Sequence, residues 1–160
     1  MKKIVLIVMF TILTIGFVSA QSWEVGGTMN LNAFSDYTDV RGDLWLSHHF
    51  TDNWFYTVGM GVEYENEFTS LLPYLSIGYA FAQLGPTYLS TSLGAFYDYH
   101  FSDEVNFGFF ITLDASFVIT ERWMFHVGLS NITFSIYDGE WYSNLTVFPF
   151  FPSFGVSFLF

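Results

Sequence analysis

The side chains of this 160-residue chain that could move protons or hold ions are few. There is no cysteine, which excludes disulfides, thiolate nucleophiles and Cys-based metal sites. His48 and His49 are adjacent. On an extended chain they face opposite sides, so they make a poor metal pair. The tight turn Thr51-Asp52-Asn53 sets Arg41 opposite Glu63, with Asp43 two residues along on the same face. These three form a candidate interior ion-pair cluster, in which opposite charges offset the desolvation of each other. Counting across Thr120-Glu121-Arg122 sets Asp114 opposite His126. A carboxylate beside an imidazole can serve as an acid–base dyad. With no nucleophile in reach, the pair reads as an interior hydrogen bond. His100-Phe101-Ser102, followed by Asp103-Glu104, places an imidazole and a hydroxyl two residues apart beside two acids. Those are the parts of an activated hydroxyl.

The elements that must position these groups are strands, because apolar residues alternate throughout. Trp23, Val25, Gly27, Met29 and Leu31 share one face of a first strand, with Glu24, Gly26, Thr28, Asn30 and Asn32 on the other. Seven more strands follow, separated by polar turns. The sixth is the cleanest, with Val105, Phe107, Phe109, Ile111, Leu113, Phe117 and Ile119 on one side. Pro73 lacks a ladder donor and predicts local irregularity in the fourth strand. The seventh changes phase near Ser130-Asn131, which a bulge would absorb. The eighth runs to Phe160. Phe50-Thr51-Asp52-Asn53-Trp54 and Ile119-Thr120-Glu121-Arg122-Trp123 read as one hairpin type used twice at one end of the fold.

Residues 1–20 read as a secretory signal peptide: Lys2 and Lys3, an apolar run from Ile4 to Val18, and small Val18 and Ala20 before Gln21. Its removal takes two of the four basic residues, so the formal charge moves from −11 to −13. That sign excludes a nucleic-acid partner. Residues 21–160 then form one domain, with no apolar run long enough for a spanning helix. The strands carry one face free of charge and one of Gly, Ser, Thr and Asn, which is the pattern lipid imposes on a barrel. Trp23, Trp54 and Trp123 at one end, and Tyr64, Tyr99, Tyr137, Trp141 and Tyr142 at the other, fit membrane–water girdles. The expected fold is all-β, an eight-stranded antiparallel up-and-down transmembrane β-barrel. Phe55, Trp45, Tyr74, Phe96 and Phe110 point inward, so a lumen filled by side chains is expected. An even strand count puts both termini in the periplasm. Asp36, Asp39, Glu65, Glu67, Asp103, Glu104, Asp138 and Glu140 then form an acidic outer rim.

Ser153, Gly155, Phe158 and Phe160 carry a pattern that resembles the C-terminal insertion signal of outer-membrane β-barrel proteins. Over residues 22–160 the strand pattern and the turn–Trp hairpins resemble the small eight-stranded outer-membrane barrels, OmpX-type and the barrel half of OmpA-type proteins. The resemblance implies an outer-membrane location, assembly by the barrel-assembly machinery, and contact with outer-membrane lipid. The chain departs from it in lacking long protruding outer strands and a periplasmic domain. The His100-x-Ser102 spacing is similar to that of outer-membrane lipid A deacylases, but its parity points inward, away from acyl chains. The expectation is therefore a monomeric, cofactor-free, non-enzymatic barrel with a structural or surface-interaction role. A lipid A or phospholipid-modifying enzyme and a narrow channel are the alternatives.

Overall fold

Alternating β-branched and aromatic residues hold the chain extended, and the computed structural model consists of strands. It describes residues 22–32, 39–65, 67–100, 105–137, 140–147 and 153–160. The strands are β1 (Trp23–Asn32), β2 (Asp39–His49), β3 (Trp54–Glu65), β4 (Glu67–Leu84), β5 (Thr87–His100), β6 (Val105–Val118), β7 (Trp123–Tyr137), β8 (Glu140–Val147) and β9 (Ser153–Leu159). All pairings are antiparallel. The sheet runs β6-β5-β4-β3-β2-β1-β9-β7, and β6 pairs β7 to close it. β8 lies on Ser130–Tyr137 and β9 on Trp123–Gly128 of the same β7. Together β8 and β9 are one barrel strand in two pieces, and the barrel has eight strands. The expected signal peptide, residues 1–20, lies outside the described residues.

The two related hairpins close in the same way. Phe50 N and Thr51 N both donate to Trp54 O, and Thr51 Oγ1 accepts from Asn53 N and Trp54 N. In the second, Ile119 N and Thr120 N donate to Trp123 O, and Thr120 Oγ1 accepts from Arg122 N and Trp123 N. The β4–β5 hairpin turns on Gly85-Pro86, with Gly85 at φ 63°. Positive φ at the first central residue suits a type II′ turn, whose twist matches the flanking strands. The β4–β5 ladder skips Leu72 and Pro73, where proline has no N–H to give. In β7 the extra residue is Leu129, between Gly128 opposite Asp114 and Ser130 opposite Leu113. That places the expected bulge one residue early.

The burial pattern is inverted relative to a water-soluble domain. Among the described residues the buried apolar side chains are Leu72, Ala115 and Met124, whereas ten polar or charged residues are buried. Leu44 (75% exposed), Leu93, Phe109, Ile111 and Val156 stand on the outside. Trp54, Trp123 and Trp23 sit at the end carrying the short turns. Trp54 packs on Tyr79 at 4.8 Å and Trp123 on Phe158 at 5.2 Å between ring centroids.

Candidate functional site in the barrel interior

The inward aromatics take their places because glycines face them across the ladder. Trp45 lies opposite Gly26, Phe55 opposite Gly78, Tyr74 opposite Gly59, Phe96 opposite Gly108 and Phe110 opposite Gly94. A Cβ on any of the five glycines would overlap the facing ring. Each ring is thus laid along the wall rather than across the axis. The expectation of a lumen filled by side chains is corrected for this reason: the interior keeps a cavity of about 850 Å³. Its lining extends from Asp52 and Glu121 at the turn end to Asp98, Asn106 and Asn144 toward the other. A second, smaller cavity of about 660 Å³ at the turn end shares His49, Asp52, Ala80 and Tyr88 with it.

Arg41 and Asp43 form an ion pair at 2.8 Å, with Arg41 Nε and Nη2 both donating to Asp43 Oδ1. Asp43 Oδ2 accepts from Asn30 Nδ2 at 3.0 Å and Thr28 Oγ1 at 3.3 Å. Glu63 stands opposite Arg41 in the β2–β3 register. Gly61 leaves the room, since a Cβ there would press on Asp43 Oδ1 and Arg41 Nε. The pair lies within β2 and is tied to β1 through Asn30 and Thr28, with the buried carboxylate fully engaged.

Asp114 and His126 are not brought opposite each other. Asp114 pairs Gly128 and takes a 2.6 Å hydrogen bond from Thr112 Oγ1, while His126 pairs Ser116. The turn spans Ile119 to Arg122, so the ladder opens at Val118 opposite Met124 and every later pair is offset from the count made on sequence. The partner of His126 is instead Glu24, which sequence reasoning placed on the inner face but did not single out. His126 Nε2 lies 3.1 Å from Glu24 Oε1, and His49 Nε2 lies 2.9 Å from Glu24 Oε2. Ser157 donates its hydroxyl proton to Glu24 Oε1. It must then accept from His126 Nε2–H at 2.7 Å. In the neutral ring, Nδ1 accepts from Ser116 Oγ at 2.9 Å. Trp45 packs edge-on against His126 at 5.4 Å. This chain ties β1, β2, β6, β7 and β9 together at the seam where the first and last strands meet. No local sequence signal joins residues 133 positions apart; only the closed register does.

The remaining sequence candidates are placed as follows. Ser153 and Gly155 face inward in β9, Gly155 against Thr28, while Phe158 faces outward on Trp123 and Phe160 is exposed. Ser102, with Asp103 and Glu104, lies outside the described residues, as does the side chain of His100. Of the expected acidic rim, Glu140 has a described side chain, exposed and accepting from Tyr142 OH at 3.2 Å. Among the described residues no group of three or more His, Asp or Glu is arranged to hold a metal ion.

With this geometry in hand, comparison places the chain among small membrane barrels by fold. The N-terminal β-barrel domain of Pseudomonas aeruginosa OprF superposes with a TM-score of 0.57 at 16% identity, covering 88% of this chain and 98% of that one. Neisserial surface protein A does so at 0.51 and 9%, covering 88% and 95%. A de novo designed transmembrane β-barrel matches at 0.54 and 10%, covering 89% and 98%. No protein-family model matches the chain, and no curated protein matches its sequence. At these identities the likeness is one of fold, that of an eight-stranded antiparallel transmembrane barrel.

Proposed function

We propose that the chain is an outer-membrane barrel whose role is structural, with a small exposed surface for contact and no enzymatic chemistry. The observation that carries it is the inverted burial: large apolar side chains around the outside, and Glu24, Asp43, Ser47, Ser116 and Ser157 buried within. In water that arrangement leaves a continuous apolar belt exposed; in a bilayer both faces are matched. The interior ion pair and seam network support a mechanical reading, since their polar groups are spent on one another. The test has two parts. The chain lacking residues 1–20 should fold in detergent into a form whose gel mobility changes on boiling. Cells lacking the protein should become more sensitive to envelope stress with an unchanged lipid A profile, and a Ser102→Ala chain should restore them fully. A lipid A profile that changes on deletion and is not restored by Ser102→Ala would favour the enzyme. The cavity of about 850 Å³ favours a second reading, a narrow channel.

A further inference from the structure

Nine of the ten buried polar or charged residues belong to the inner wall, and His48 is the exception. Its neighbours Ser47 and His49 face the lumen, bonded to Thr57 and Glu24, so His48 faces outward. It is 5% exposed, and neither ring nitrogen has a hydrogen-bond partner. The β1–β2–β3 register sets it between Trp23 and Tyr56, whose ring centroids lie 4.5 and 5.2 Å from its own. Phe50 also stacks on Tyr56, at 6.5 Å between ring centroids. The site is two residues from the turn that begins at Phe50, at the end ringed by Trp54 and Trp123. That is the level of a membrane interface if the barrel spans a bilayer.

A neutral imidazole carries one donor and one acceptor, and leaving both unmet against hydrocarbon is costly. Aliphatic residues serve the outer face at every other β2 position with a described, non-glycine side chain between Val40 and Leu46. The two ring nitrogens gain hydrogen bonds once something polar reaches them from the lipid side. We infer that Trp23, His48 and Tyr56 form a docking site for one phospholipid of the leaflet at the turn end. His48 would hydrogen-bond the phosphate or glycerol-ester oxygens, and the two aromatic faces would flank the headgroup. The inference rests on the membrane-barrel reading. Because Trp23 and Tyr56 shield both nitrogens, docking requires one of these rings to swing aside. Aromatic faces suit a cationic amine as well as the ester region, so an ethanolamine phospholipid is the fitting probe.

The experiment uses the chain lacking residues 1–20, folded in a maltoside detergent and titrated with phosphatidylethanolamine under native mass spectrometry. One lipid should be retained. His48→Phe keeps the ring packing, loses both nitrogens, and should weaken retention about tenfold, the scale of one hydrogen bond to a charged group. Tyr97→Phe, on the outer face of β5, should leave it unchanged. Soluble glycerophosphoethanolamine should not displace the lipid; displacement would overturn a docking site for membrane lipid. Wild-type retention of no lipid, or equal retention by His48→Phe, would also overturn the site. A measurement without a variant accompanies this: the His48 ring ¹⁵N resonances should move between lipid-free micelles and phosphatidylethanolamine nanodiscs, and identical resonances would refute the contact. The boiling shift separates the two failures. A shifting band without lipid retention sinks the site alone; a band that never shifts sinks the barrel reading beneath it.

Discussion

At the scale of single residues, the interior is governed by which polar atoms are already spoken for. Asp43 accepts from Arg41, Asn30 and Thr28, and it is 6% exposed, while Arg41 is 31% exposed. Asp43→Ala removes the acceptor and leaves the guanidinium facing a partly apolar wall. The expected loss is about 3 kcal/mol, the low end for a broken buried pair because the cavity admits water to Arg41. Urea titration of the folded protein in lipid vesicles measures it. Replacing both partners, Arg41→Met with Asp43→Leu, should recover part of the loss, because neither member of the ion pair is then left without the other, while Glu63 loses the cation opposite it. A double variant as unstable as Asp43→Ala would show that the carboxylate matters through Asn30 and Thr28 instead. Much of this cluster was legible beforehand: the turn at 51–53 fixes the register, and parity sets Arg41, Asp43 and Glu63 on one face. The glycines beneath the five inward aromatics were legible in principle from the same register. The openness they confer was not, since residue type alone does not say whether a ring lies along the wall or across the axis.

At the scale of elements, two hairpins share one construction. In each, a threonine hydroxyl accepts two backbone N–H groups at the mouth of the turn. Thr51→Val and Thr120→Val keep the shape of the side chain and remove the acceptor. Each should cost about 1 kcal/mol, since the turns are exposed and water takes up part of the hydrogen bonding. The two hairpins share no partner, so the double variant should show the sum. Serine at either position should be near neutral. Unequal losses from the two valine variants, read from urea midpoints, would show that the likeness is confined to sequence. The same repeat explains what was misread. The first hairpin closes with Phe50 on Trp54, and applying that closure to Ile119 and Trp123 gives Ser116 opposite His126, as observed. Counting the second turn independently gave Asp114. The bulge at Leu129 was foreseen to within a residue because a change of apolar phase marks it. Glu24 carries no such mark, because its partners arrive only when β9 meets β1 and β7.

At the scale of the molecule, the question is what a hollow, acidic interior does with ions. Glu24, Asp43, Asp52, Glu63, Asp98, Asp114 and Glu121 line the cavity against one arginine, Arg41, and two histidines, His49 and His126. Asp43 is matched by Arg41, and Glu24 is shared among His49, His126 and Ser157. Seven carboxylates against one arginine leave the lumen negative in sum, and walls of low dielectric focus that field along the axis. A cation entering such a space replaces part of its hydration by carboxylate oxygens, whereas an anion meets repulsion over the whole length. If water runs through, the pathway must prefer cations, and removing Arg41 should sharpen the preference rather than reverse it. Planar-bilayer recordings in a potassium chloride gradient test this. The expected result is a small conductance with a reversal potential on the potassium side, moved further toward it by Arg41→Met. A reversal potential on the chloride side would contradict the charge reading outright. A silent bilayer would mean that the cavity of about 850 Å³ is a closed chamber, with the Arg41–Asp43 link as its barrier. Asp43→Ala tests that barrier: opening the link should raise conductance if the ion pair closes the axis, and leave it at zero if the closure lies elsewhere along the lumen.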